Sequence, residues 1–161
     1  MAHLPSAPQN TVVARHFEPL QTVLCIADFL GIRAILDDGS QMIGMSAAVW
    51  RRLGAPARSD HKLSVEAANK SVNTTEGVLP NFKVTIGGLD LYLQVQIVED
   101  AAYDILLGRP FFTLTSAKVS HLPSGGTTIT LTCPNTGAVV TLPTQPRCKH
   151  DPIIDLRIKE G

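Results

Sequence analysis

Between Leu89 and Ile97, apolar and polar side chains alternate: Leu89, Leu91, Leu93, Val95 and Ile97 on one side, Asp90, Gln94 and Gln96 on the other. A period of two places one set against a core and the other in water, the mark of a half-buried antiparallel strand. The Gly87-Gly88 pair before it makes a tight turn, and beyond that turn Phe82, Val84 and Ile86 alternate with Lys83 and Thr85. The rest of the chain must supply strands that cover this apolar face. Helical periodicity is confined to residues 47–53, capped by Ser46 and ended by Gly54, and to a turn around 113–119. Trp50, in the middle of the first helix, reads as core. The class is all-β with one or two short helices.

Other strands follow from the same rules. Residues 21–27 and 32–36 read as a hairpin turning at 28–31, and 41–45 as a further apolar strand. Residues 62–67 and 72–78 form a second hairpin with a small, polar tip. Residues 127–133 and 138–142 form a third around Pro134-Asn135-Thr136-Gly137. The chain divides into a flexible leader at 1–19, a main domain at 20–122, and a C-terminal hairpin extension with a loose tail at 123–161. Its 161 residues suffice for one domain with a proper core.

Fourteen basic residues balance fourteen acidic ones, which removes the electrostatic case for nucleic acid as the main ligand. The cysteines Cys25, Cys133 and Cys148 are odd in number and widely spaced, so no disulfide framework is expected. Cys148 and His150 have no second ligand pair at zinc spacing, so no metal and no other cofactor is expected. The first ten residues lack a signal-peptide pattern, and no apolar run reaches the ~18 residues of a membrane span. The expectation is a soluble domain in a reducing compartment, with no membrane partner.

Two stretches carry the functional reading. Ala34-Ile35-Leu36-Asp37-Asp38-Gly39-Ser40 is an apolar run ending in an acid, then a glycine, then a hydroxyl. This places the Asp37 carboxylate at the end of a rigid strand, in the interior, with turn amides pointing at it. Taken alone, Asp-X-Gly is equally a surface turn in which Asp caps its own backbone. The second stretch, Ile105-Leu106-Leu107-Gly108-Arg109-Pro110-Phe111-Phe112, is another apolar run closed by glycine.

Together, in this order and about seventy residues apart, the two stretches resemble the retropepsins, the aspartic proteases of retroviruses and long-terminal-repeat retrotransposons. The wording is most similar to gypsy-type elements of fungi, and the resemblance covers roughly residues 20–122. It implies a closed, retropepsin-like β-barrel, to which this chain adds the C-terminal β-hairpin. It implies Asp37 as the catalytic residue, and Gly39, Ser40 and the flap tip Ala67, Ala68, Asn69, Lys70 and Ser71 as substrate-binding. Asp38, Gln41, Gly108 and Arg109 would support the site. Peptide hydrolysis in this family uses two carboxylates sharing one proton across a bound water. Only one Asp-X-Gly ends an apolar strand here, and leucine precedes Gly108. The resemblance therefore implies a homodimer with Asp37 of each copy at a two-fold axis, cleaving an extended peptide or polyprotein in the cytoplasm or in virus-like particles.

Two positions depart from the family pattern. Where many relatives carry Thr or Ser after the catalytic acid, this chain carries Asp38, so that two extra carboxylates meet near the axis and association is expected to improve in mild acid. Where some viral relatives carry an acid facing the arginine of the Gly-Arg pair, this chain carries Gln41, which leaves Arg109 either a neutral acceptor or a role as a structural brace. A non-catalytic peptide-binding or structural module with the same fold is the alternative reading. The hairpin at 127–142 either extends the dimer sheet or covers it.

Overall fold

In the computed structural model, residues 4–56, 64–66, 72–149 and 151–158 are described, with side chains described outside 64–66 and 72–76. The chain runs β1 (Gln21–Ala27), β2 (Leu30–Leu36), β3 (Gly44–Ser46), α1 (Ala47–Leu53), β4 (Ser64–Glu66), β5 (Val72–Ile86) and β6 (Leu89–Val98). It continues with β7 (Ile105–Leu107), α2 (Arg109–Leu114), β8 (Lys118–His121), β9 (Thr127–Thr132), β10 (Val139–Pro143), β11 (Gln145–Pro146) and β12 (Ile154–Asp155). Six strands close into a barrel in the order β1-β2-β7-β3-β6-β5, with β5 returning to pair with β1. Two of the contacts are parallel, β2–β7 and β3–β6. Closure leaves no open edge around the ring.

The alternating strand behaves as its pattern dictates. Along β6 the apolar residues are buried and Asp90, Tyr92 and Gln94 face out. Gly87 and Gly88 take φ of +59° and +81°, the left-handed pair that a two-residue hairpin needs. At the β1–β2 turn Asp28 supplies the left-handed residue, φ 54°. That turn is two residues long, so β2 begins at Leu30 rather than Ile32.

Other expectations need correction. The sequence suggests a break between 78 and 82, yet β5 is one strand of 15 residues with irregularities at Thr75/Gly77 and Leu79/Phe82. Pro80 donates no ladder bond, and the bulge is held by Gln94, whose amide nitrogen donates to Asn81 Oδ1 at 2.7 Å. The strand expected at 41–45 shrinks to Gly44–Ser46, because residues 41–42 bend around the acid loop. The second helix starts at Arg109 rather than near Thr113; Pro110 falls in its first turn, where a missing N–H costs nothing. Phe111 is buried at its centre. The first helix is as expected: Ser46 Oγ accepts from Val49 N–H at 3.2 Å, and Gly54 ends it at φ 69°.

Beyond the barrel, β8, β9 and β10 form a three-stranded sheet. Ile129 and Leu131 on β9, and Cys133 just after it, are buried in the same core as the barrel residues, so the added hairpin completes that core. Leu142 packs over Gly87 where a side chain would stand. The tail after Pro143, read from sequence as loose, is tied down: β11 pairs with the start of β1, and β12 with the start of β2. Arg157 stacks over the Phe29 ring at 3.7 Å and pairs with Asp155 at 2.7 Å. No described helix is long and apolar enough to cross a membrane.

Candidate active site

Asp37 follows directly on β2, and its backbone continues the ladder: its N–H donates to Leu107 O at 3.0 Å. The chain then turns tightly. Ser40 N–H donates to Asp37 O at 3.1 Å, and Gly39 N–H donates to the Asp37 carboxylate, Oδ1, at 3.1 Å. One carboxylate oxygen is thus fixed by a main-chain donor. The side chain is half-buried rather than enclosed, and Asp38 is exposed.

The second glycine run locks this turn from below. Arg109 N–H donates to Ser40 O at 2.8 Å. Gly108 lies so close that a Cβ there would sit 2.0 Å from Met42 O and 2.8 Å from Ser40 O. Its φ of −89° is ordinary, so glycine is required for room. Gly39 is different: a Cβ there would meet only Asp37 Oδ1, at 3.3 Å. The two glycine turns predicted from sequence therefore interlock through main-chain atoms.

Arg109 and Gln41 border one open apolar groove with Pro110 and Leu114, but no hydrogen bond joins their side chains. The Arg109 brace runs through its backbone. Ser40 Oγ donates to Met42 O at 3.4 Å. Asp38 borders a cavity of about 220 Å³ with Glu18, Leu36, Phe112 and His121. Ala67, Ala68, Asn69, Lys70 and Ser71 lie outside the described residues; the hairpin stem below them is present, with Ser64 opposite Thr74 and Glu66 opposite Val72.

Sequence reasoning missed the residues behind the acid loop. Tyr103 packs its hydroxyl where a Gly44 side chain would be, 2.4 Å from such a Cβ. Burial raises its phenol above the ordinary range and likewise raises the neighbouring Asp104 carboxyl. The available signal was Gly44, a glycine inside an apolar strand. Cys25, enclosed in the core, has its thiol pushed up to about 12 by burial and is chemically quiet. Among the described residues no cluster of His, Cys, Asp or Glu could hold a metal ion.

Among the described residues no second carboxylate hydrogen-bonds to Asp37. A carboxylate with one fixed oxygen can accept a proton from water, but protonating a leaving group takes a second acid coupled to it.

Residues 26–113 match the family described as "gag-polyprotein putative aspartyl protease". No curated protein matches the chain in sequence. Among solved structures, the crystal structure of the retroviral protease-like domain of Ddi1 from Leishmania major is similar at a TM-score of 0.60 and 16% identity, over 83% of this chain and 98% of that one. The family match spans more than half of the chain: the protein belongs to this aspartyl protease family, and its barrel is retropepsin-like.

Proposed function

We propose that the chain is an aspartic endopeptidase that processes the polyprotein of a retrotransposon, acting as a homodimer. The observation that carries this reading is the Asp37 turn: a half-buried carboxylate with one oxygen fixed by Gly39 N–H, on a loop locked by Gly108, with no second carboxylate hydrogen-bonded to it among the described residues. A second copy related by a two-fold axis supplies the missing Asp37. Two carboxylates ~3 Å apart cannot both ionise, so one takes a proton from the bound water while the other donates to the carbonyl oxygen of the scissile bond. The pair titrates as a unit. An extended peptide lies over Gly39 and Ser40, held by backbone hydrogen bonds and covered by the tip of the hairpin at 67–71. Among the described residues the strand β8, whose four residues are exposed, pairs only with β9, and its other edge is available for association.

The test compares this chain with Asp37→Asn on a pool of peptides at pH 4–6, a range set by ordinary carboxylate titration. Cleavage by the first and none by the second supports the reading; equal cleavage, or none in either, removes it. A second reading, a peptide-binding module without catalysis, is favoured by Asp38. This exposed acid beside Asp37 places four carboxylates at the axis of a dimer.

A further inference from the structure

The tail forms a strap anchored at two places, β11 on β1 and β12 on β2. Beneath it is a cavity of about 290 Å³, independent of the acid loop, with Arg33 on its floor and Tyr103 and Asp104 on its wall. Asp151 and the exposed Arg147 and Lys149 of the strap line its open side. Three cations thus face two carboxylates across a space at the small end of ligand-sized pockets. Most of these groups are already oriented. Arg33 donates from Nε to Thr22 Oγ1 at 3.1 Å and from Nη2 to Thr22 O at 2.9 Å. Thr22 in turn donates to Gln145 O at 3.0 Å, tying the floor to the strap. Arg147 donates from Nη2 to Ala102 O, and Asp151 Oδ2 accepts Cys148 N–H at 3.1 Å. Each guanidinium keeps unused N–H groups, and Lys149 makes no hydrogen bond to a described residue. Asp104 accepts none through its carboxyl.

We propose that this cavity binds a compact oxyanion that carries its own proton, hydrogen phosphate being the type. Its charge is met by Arg33, Arg147 and Lys149, and its P–O–H donates to the Asp104 carboxylate. The acids decide the selectivity. A fully deprotonated anion of similar size and charge, sulfate, would place lone pairs against Asp104 and Asp151 with nothing to donate. Pressing such lone pairs against the half-buried Asp104 and Asp151 with no hydrogen bond to offset the repulsion is costly. The proposal rests on the strap alone and holds whether or not the chain is a protease.

The experiment is calorimetric titration of the full chain with sodium phosphate, sodium sulfate and O-phosphoserine at pH 7 and matched ionic strength. Phosphate and sulfate salt proteins out similarly, so general effects cancel between them. The expected result is saturable phosphate binding at least about tenfold tighter than either other anion, since the loss of one charge-assisted hydrogen bond is worth a factor of that order. Lys149→Gln, which removes no bond within the described protein, weakens phosphate about tenfold while the melting temperature stays put. Asp104→Asn removes the negative charge and adds an N–H donor beside the remaining acceptor oxygen, so sulfate is accepted too and the preference for phosphate over sulfate disappears. The proposal is overturned by no saturable phosphate binding, by sulfate or phosphoserine binding as tightly as phosphate, or by the same affinities in both variants.

Discussion

The acid loop and the strap cavity lie along one strand, β2, and are built in opposite ways. At the front, Asp37 is held by main-chain atoms: Gly39 N–H, Leu107 O, and the Ser40 and Met42 carbonyls that crowd Gly108. At the back, Arg33, Asp104, Arg147 and Asp151 are arranged by side-chain and charge contacts with the tail. A main-chain site tolerates almost no change of backbone and frees its acidic side chains for chemistry. A side-chain site adapts residue by residue. The difference predicts where substitutions are severe and where they are mild.

The largest effect belongs to Asp37→Asn. Peptide cleavage falls by about 10³-fold or more, the scale of losing a general acid–base group, while circular dichroism and melting temperature are unchanged. Gly108→Ala comes next. A methyl group 2.0 Å from the Met42 carbonyl oxygen must displace backbone, so a loss of about 3 kcal/mol in denaturant-monitored stability is expected, whereas Gly39→Ala changes it by less than about 1 kcal/mol. If the two glycines proved equally tolerant, the front would not be the main-chain device described. Asp38→Thr removes like charge from the axis of the proposed dimer, and sedimentation equilibrium at neutral pH is expected to show association strengthened about five- to tenfold.

The smallest effect belongs to the back. Burial raises the Asp104 carboxyl, with Asp151 adding to the rise and Arg52 and Arg147 opposing it. A raised folded-state value means that the protonated acid favours the fold, so this contribution is present at low pH and lost as pH rises through the folded value. Asp104→Asn is therefore expected to melt a degree or two higher than the parent at pH 7–8, a small shift for a partly exposed group, with the difference fading as pH falls toward about 4. A variant that melts lower at pH 8 would show Asp104 to be a net stabiliser through its cations.

The same contrast explains what the sequence made legible. The β6 alternation, the Gly87-Gly88 turn, the Ser46 and Gly54 caps and the two glycine stretches are local patterns, written within a few residues, and each appears where it was read. The interlock of Gly108 with the Met42 carbonyl joins segments far apart in the chain, and only the presence of both motifs hinted at it. The strap was illegible: Thr22 meets Gln145 across 123 positions, through strands of two residues that carry no periodicity. Helix α2 was misplaced because six residues are too few to show a helical stripe, and Pro110 reads equally as a stop.

The pairing of Gln21 with Pro146 and of Thr22 with Gln145 also sets an order of events during synthesis. The β1–β2 hairpin leaves the ribosome well before the strands that seal β1 at Gln21 and β2 at Leu30. Until then the strand that ends in Asp37 has an unfilled edge. Contacts so distant in sequence form slowly, because a long loop must close before they contribute. The nascent chain passes through a stage in which its acid loop is already translated while the strap that backs it has yet to arrive.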